Sequence, residues 1–504
     1  MSISKGRERL QRWRVSLHAL LKLPRPPPFF QADWYLVQYP DVAAAGEHPW
    51  SHFHLHGRHE GRFANPEHID LWFDETLFQK VHAEFSRTQG SLSSVDRDYM
   101  NWLFARRFAA HGRWREVVET LDDRDFEAKS RQTTPFGHMP GLLYADALRR
   151  RGDLARTAGQ LARLETIRPD IPDVALLGAN MVRSADGDTD GWEPWLDRIN
   201  ALYTGSNLLP LRLAAGSGPA LDRLTAAPGR EVHGPTISVL MAAWNAQQTI
   251  GTALKSLLAQ THSNLEIIVI DDGCEDDTVA VIQDVAAQDS RVRILESGRR
   301  RGPYAARNQG LNAASGEFIT VHDADDWSHP QKIERQLDML RHLDELKACF
   351  SSWVRVTPDL EFGGWDTPPS WLGWVHRNTS SLLFRREVFE QLGYWDELRC
   401  SCDEEYVERI RAAWGARALG NCLPSVPLAF GRAAPQSITR QPETHLLTVL
   451  KGLRKDYHDA FRRWHAAARS REALFMPQSP QRRPFPVADA MQPDHAFSAQ
   501  NTGP

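Results

Sequence analysis

The stretch "FITVHDADDW", residues 318–327, runs from an apolar segment straight into a histidine and three carboxylates, Asp323, Asp325 and Asp326. Acids crowded at the end of an apolar strand repel one another and are costly unless positive charge sits among them. A second apolar run, "LEIIVIDDG", ends the same way on Asp271 and Asp272. Carboxylate oxygens are hard donors that suit Mg2+ or Mn2+, ions that commonly bridge protein carboxylates to a substrate's phosphates. These residue types therefore point to a divalent cation delivered with a diphosphate. The competing reading of "DADD" is a turn and helix-capping motif, since Asp favours both positions. Two acidic strand ends in one domain favour the metal.

The elements that must position these acids are legible from residue 236 onward. "TISVLMAAWN" reads as a buried strand and "TIGTALKSLLAQ" as a helix with Ile250, Leu254, Leu257 and Leu258 on one face. "LEIIVIDDG", "RVRILES" and "EFITVHDADDW" are further strands, with "DDTVAVIQDVAAQ" and "AARNQGLNAAS" as the helices between them. Alternating strand and helix predicts βαβ units and a mostly parallel, Rossmann-like α/β sheet. Right-handed crossovers cover both faces of such a sheet, which accounts for strands that are apolar throughout. Ligands of open parallel sheets bind beyond the carboxyl ends of the strands, so both acidic clusters should face one crevice. If strand geometry persisted, Asp323 and Asp325 would point the same way. There is no GxxxxGK[ST] loop and no G-x-G-x-x-G after the first strand, which disfavours a P-loop nucleotidase and a dinucleotide site.

Three longer stretches carry a specific resemblance: "ISVLMAAWNAQQTIGTALKSLLAQTHSNLEIIVIDDGCEDDT", "GPYAARNQGLNAASGEFITVHDADDWSHPQKIERQ" and "NTSSLLFRREVFEQLGYWDELRCSCDEEYVERI". Together, over about residues 236–440, they resemble the family 2 glycosyltransferases of GT-A fold. That resemblance implies inverting transfer of a sugar from a nucleotide-diphosphate sugar, with UDP as the expected carrier and Mn2+ or Mg2+ as cofactor. By position it implies that Asp272 bonds the nucleobase and that Trp244, where the family often has Tyr, lies beside that base. Asp323 would approach the ribose or the metal, Asp325 would ligate the metal, and Arg307 and Asn308 would line the donor side. An Arg facing a diphosphate makes charge-assisted bonds; a salt bridge holding the acidic loops is the alternative for Arg307. The base is assigned to Asp403 of "CDEEYVERI", six residues before Arg409, with Cys402 in place of the family's commoner Glu and with Glu404 and Glu405 as rivals. Acids at a helix start are also favoured by the macrodipole, and Val407, Ile410 and Trp414 fit one buried face of that helix. Asn378, Ser380 and Ser381 are candidates to position donor or acceptor. Trp365, Trp371 and Trp374 are candidates to stack on a sugar or to fill a core.

Two alternatives stand beside this reading. A sugar nucleotidyltransferase would also use carboxylate-bound Mg2+, but it usually carries a Gly- and Lys/Arg-rich loop where this chain has "AAWNAQQT". A non-catalytic scaffold would not need Asp272, Asp323, Asp325 and Asp403 together.

The remainder of the 504 residues divides by texture. Residues 1–28 form a basic leader, with Leu10, Trp13, Leu17, Leu20 and Leu21 on one helical face, suited to an anionic bilayer surface or to a docking partner. Residues 29–95 form a small helical module. Its segment "DWYLVQYPDVAAAG" resembles a module that often accompanies bacterial glycosyltransferases. His52, His54, His56 and His59 suggest zinc only superficially, because a helix would spread them over more than one face. Residues 96–232 show two helix–Gly–helix layouts, with Gly112 and Gly152 at the turns. They resemble tetratricopeptide hairpins that would bind a protein partner or brace the next domain. Residues 233–470 make the GT-A domain, and 471–504, polar and Pro-rich, read as a disordered tail.

A net charge of −4 gives no support to nucleic-acid binding. Five irregularly spaced cysteines argue for a reducing compartment. No run of about 18 apolar residues suggests a membrane span. The expectation is a cytoplasmic enzyme, peripheral where it meets the inner membrane, acting on a glycan, lipid-linked or protein acceptor in bacterial surface polysaccharide or glycoconjugate synthesis.

Overall fold

The computed structural model describes residues 26–27, 29–58, 60–122, 137–186, 191–367, 373–434, 437–478, 480 and 482–493. The leader helix, His59, Trp371 and the last eleven residues lie outside them. The chain separates into two units, Met1–Asp170 with Trp365–Gly373, and Ile171–Gly364 with Trp374–Pro504.

The first unit is helical among its described residues. Asp74 caps the helix Glu75–Thr88 by accepting from the Leu77 amide at 2.9 Å. Ser93 caps Ser94–Ala110, and Asp153 caps Leu154–Ile167, in the same way. The predicted turns form at Gly112 and Gly152, between Ser94–Ala110 and Trp114–Leu121 and between Met139–Arg150 and Leu154–Ile167. The stretch read as one region, 96–232, is divided: Pro172–Asp186 and Glu193–Thr204 belong to the second unit. His52 is buried and bonded to the Tyr35 hydroxyl at 2.9 Å, and burial pushes its imidazole below the usual histidine range. Trp365 is core in this unit, with Nε1 donating to Asp146 Oδ2 at 3.0 Å and the Arg106 guanidinium over its ring. It is not a platform for sugar.

Beside a small antiparallel pair, Leu211–Leu213 with Leu224–Ala226, the second unit has the strands β1 (Ile237–Ala243), β2 (Leu265–Asp271), β3 (Val292–Glu296), β4 (Phe318–Val321), β5 (Trp327–Ser328), β6 (Ala348–Val356), β7 (Phe362–Gly363), β8 (His376–Arg377), β9 (Leu383–Arg385) and β10 (Leu419–Arg432). They form one mixed sheet in the order β3-β2-β1-β4-β9-β6-β10-β5, with β7 and β8 paired to β6. The first four strands in that order are parallel, as the alternating pattern predicts. β9 enters antiparallel between β4 and β6.

Alternate residues of β1 serve opposite faces. Val239, Met241 and Ala243 meet Ala253, Leu254 and Leu257 of α1 (Ile250–Leu258), Ile282 of α2 (Thr278–Gln288), and Ile333 and Leu337 of α4 (Lys332–His342). Leu240 faces the other way. It joins Tyr304 and Leu311 of α3 (Pro303–Ala313), Val388 and Leu392 of α5 (Arg386–Leu392), Val407 and Ile410 of α6 (Cys402–Trp414), and Phe461 of α7 (Leu453–Ala467). Cover on both faces is why these strands are apolar at every position.

The tail differs from the sequence reading over its described part. Leu474, Met476, Phe485 and Met491 are buried in the second cluster, and the Met476 amide donates to Leu392 O at 2.9 Å. A few widely spaced apolar side chains anchor a stretch whose composition is otherwise that of a disordered segment.

Candidate active site

β2 and β4 flank β1, with Asp271 level with Ala243 and Val321 level with Leu240. The carboxyl ends of all three strands therefore lie at one edge of the sheet. Two inter-strand spacings put the acidic ends about 10 Å apart. Because β2 and β3 lie on one side of β1 and β4 on the other, this edge is the topological switch point of the sheet, where open α/β sheets take ligands.

Asp272, 3% exposed, is held by the loop leading into α3: Oδ1 accepts from the Arg301 amide at 2.7 Å and Oδ2 from the Gly302 amide at 2.8 Å. Burial pushes its carboxyl above the ordinary range, against the pull of these two amides and of Arg300 and Arg301. Gly273, at φ 76, lets that loop pass close by, since a Cβ there would meet the Arg300 nitrogen at 2.7 Å. At the end of β1 Trp244 is 40% exposed, and the Arg300 guanidinium lies 3.3 Å from its ring centroid.

Beyond β4 the strand geometry does not persist. Residues 323–326 turn, with the Asp326 amide donating to Asp323 O at 3.4 Å. Arg307 Nη2 bonds Asp323 Oδ1 at 2.6 Å. Burial raises the Asp323 carboxyl, but Arg307, a bond from Ser380 and the nearby Arg355 outweigh it and hold the group below its usual range. Asp325 is pushed up to about 6 by burial and by Asp323, against the pull of Arg355, a backbone hydrogen bond and Arg432. Burial and the same neighbours push Asp326 well up, and its Oδ1 accepts from the Arg432 amide at 3.2 Å.

Part of the positive charge that the sequence demanded is thus supplied by Arg307, Arg355 and a fully enclosed Lys332. Lys332 Nζ bonds Ser328 Oγ at 3.2 Å, Ser328 Oγ pairs with His322 Nε2 at 2.9 Å, and His322 Nδ1 pairs with Asp323 O at 2.8 Å. Burial lowers His322 to about 3, so it is neutral; donation from Nδ1 to the carbonyl and acceptance at Nε2 makes this chain self-consistent.

At the far side of α3 the Tyr304 hydroxyl donates to Asp403 Oδ1 at 2.9 Å. The Arg307 guanidinium lies 5.4 Å from the Tyr304 ring centroid. Asp403, in the first turn of α6, and Asp323, after β4, are therefore joined through two side chains of one helix. The rivals are occupied elsewhere. Glu405 is 0% exposed, paired with Arg409 at 2.7 Å and with His465 at 3.0 Å. Glu404 takes both its bonds from Arg377 Nη2, each at 2.9 Å.

Other expectations are corrected. Asn308 does not line a crevice: it is fully buried and bonded to both backbone atoms of Trp395 and to Glu397. Asn378 caps the turn 379–381 and Ser381 bonds the Asn378 carbonyl, so of that trio Ser380 alone bonds a site acid. Trp374 is buried in the core. Tyr304 and Lys332 were not singled out from the sequence. The available signals were Tyr304 three residues before Arg307 on one helix face, and Lys332 four after Ser328.

Among the described residues no group of three or more His, Cys, Asp or Glu is arranged to hold a metal ion. Asp323 and Asp325 nonetheless fit the pattern of a hard cation held by one or two carboxylates with substrate phosphates completing its shell. The Asp325 carboxylate, raised by burial and by Asp323, is the group such a cation would relieve.

The arrangement is that of an α/β domain with acids gathered at the switch point of its sheet. Residues 238–392 match the family model described as Glycosyl transferase family 2. Over 106 residues the chain is 38% identical to an uncharacterized glycosyltransferase of Haemophilus influenzae, covering 21% of this chain and 42% of that one. It is 37% identical over 120 residues to the succinoglycan biosynthesis protein ExoO of Rhizobium meliloti, covering 24% and 31%. It is 33% identical over 136 residues to the UDP-Glc:alpha-D-GlcNAc-diphosphoundecaprenol beta-1,3-glucosyltransferase WfaP of Escherichia coli, covering 26% and 52%. The chain thus spans about half or less of these relatives' lengths. The similarity to family 2 glycosyltransferases is thus confined to the sheet-bearing part of the chain. Among the described residues no helix is long and apolar enough to cross a membrane.

Proposed function

We propose that this chain transfers a sugar from a nucleotide-diphosphate sugar to an acceptor hydroxyl, with inversion, in the synthesis of a bacterial surface polysaccharide or glycoconjugate. The observation that carries the reading is the link Asp403–Tyr304–Arg307–Asp323, which gives one crevice both a proton acceptor and a phosphate-side acid.

Trp244 offers an exposed ring for the nucleobase, and Asp272 retains lone pairs on both oxygens after its two amide bonds. Arg307 Nε is buried with no hydrogen-bond partner among the described residues, an unmet donor that a phosphate oxygen would satisfy. Asp323 and Asp325 would hold Mn2+ or Mg2+, which when bound supplies Lewis-acid stabilisation of the departing diphosphate. Asp403 accepts the proton of the acceptor hydroxyl as its oxygen bonds the anomeric carbon. The bond from that carbon to the phosphate oxygen breaks on the opposite face, and the nucleoside diphosphate leaves with the electron pair. A single displacement inverts the anomeric centre and needs no covalent nucleophile. A UDP-sugar is the donor this reading favours, with a glycan, lipid-linked or protein acceptor and a peripheral site of action at the membrane.

The test is a panel of UDP- and GDP-sugars with Mn2+ and candidate acceptors, assayed for nucleoside diphosphate release. Release that requires Asp403 is the expected result. Release of pyrophosphate instead would replace the reading with nucleotidyl transfer.

A further inference from the structure

We propose that Tyr304 is a positioning residue for Asp403, fixing the carboxylate through Oδ1 so that Oδ2 is presented to the acceptor hydroxyl. This rests on the reading of Asp403 as the base. Tyr304 is 6% exposed and lies in the core cluster with Tyr406 and Val407 of the helix that bears Asp403, so its ring cannot swing away without opening that packing. Its hydroxyl donates to Asp403 Oδ1 at 2.9 Å, and among the described residues no other hydrogen bond to that carboxylate is made. Asp403 itself follows Ser401, whose φ of 64 turns the chain sharply into α6, and Arg454 Nη1 secures that residue by bonding Ser401 Oγ at 2.8 Å. The backbone is therefore fixed by one contact and the side chain by another.

The titratable and charged groups around the carboxylate are Tyr304 and Arg307 from α3, Cys400 and Cys402 from its own loop, and His458 from α7. Burial lowers His458 to about 3, so it is neutral at working pH, and burial raises both thiols, so they are neutral too. The tyrosine hydroxyl is then the sole donor bonded to Asp403 among the described residues. A bond donated to a carboxylate favours its ionised, proton-accepting form.

The experiment compares wild type, Tyr304→Phe and Asp403→Asn. UDP-glucose, UDP-N-acetylglucosamine and GDP-mannose, with Mn2+, serve as probes for nucleoside diphosphate release. In parallel, carbodiimide labelling of the Asp403 peptide is followed by mass spectrometry across pH. For Tyr304→Phe the expected results are kcat about ten-fold lower, KM for the nucleotide sugar within roughly two-fold of wild type, and an acid limb at higher pH. The labelling midpoint should move up, a readout that needs no turnover. If Asp403→Asn is inactive while Tyr304→Phe keeps the wild-type rate, acid limb and labelling midpoint, Tyr304 does not position the base. If Asp403→Asn turns over like wild type, the assignment of the base fails and this proposal falls with it.

Discussion

Arg307 and Asp323 meet at 2.6 Å, from a helix on one side and the end of a central strand on the other. The guanidinium is almost wholly enclosed, so its charge depends on this carboxylate. Arg307→Ala would leave Asp323, whose side chain is 32% exposed, without its cation beside two further acids. Arg307→Ala is expected to lower the thermal midpoint and to weaken UDP binding at least about ten-fold by calorimetry. A variant that binds UDP normally would remove Arg307 from the donor side.

Asp403 and Glu405, two acids in the first turn of α6, should separate by phenotype. Asp403→Asn should keep its fold and its affinity for UDP but lose transfer by about 10²–10⁴-fold. Glu405→Gln strips Arg409 and His465 of their buried partner and should lose stability first, by about 3–5 kcal/mol in denaturant unfolding. Equal stability of the two variants would contradict this division of labour.

Asp325→Asn removes a buried charge from beside Asp323 and Asp326, so stability should hold or rise. The enhancement of UDP binding by Mn2+ should disappear in the same variant, and titration with and without EDTA reads it directly. Intact enhancement would move the metal elsewhere.

His68, in the first unit, is buried and lowered to about 3 by desolvation. Its value in the unfolded chain is near 6.5, so the unfolded state takes up the proton first. Its contribution to stability is complete above about pH 6.5 and falls by about 1.4 kcal/mol per pH unit as acid is added toward pH 3. His68→Gln should flatten the pH dependence of unfolding between about pH 6 and pH 4; an unchanged slope would show that other groups control acid sensitivity.

Phe485 and Met491 are buried although they lie in a Pro-rich tail. Phe485→Ala should cost about 3–5 kcal/mol, as for other core aromatic truncations. A neutral effect on unfolding would return the segment to the solvent.

The strands were legible because a strand covered on both faces must be apolar at each position, as Ile267 to Ile270 are. The location of the crevice followed, since acids placed after β2 and β4 must share an edge once the strands are parallel. The bond from Tyr304 to Asp403 was not legible, because the two residues are 99 positions apart and meet only when α3 and α6 pack on the same face of the sheet. Asn308 was misread for a related reason: its neighbour Arg307 points at the acids, while a one-residue step on a helix turns its own amide into the core against Trp395. Phe485 shows the limit of composition, since isolated anchors carry no period.

The Arg399 amide donates to Met491 O at 3.0 Å and its guanidinium to Ala490 O at 2.9 Å, four residues before Asp403. Translation delivers the whole sheet, every strand from Ile237 to Arg432, well before residues 490 and 491 emerge. A nascent chain therefore completes the sheet and its acidic edge while the loop before Asp403 still lacks its clasp, and the two sides of that edge mature at different moments of synthesis.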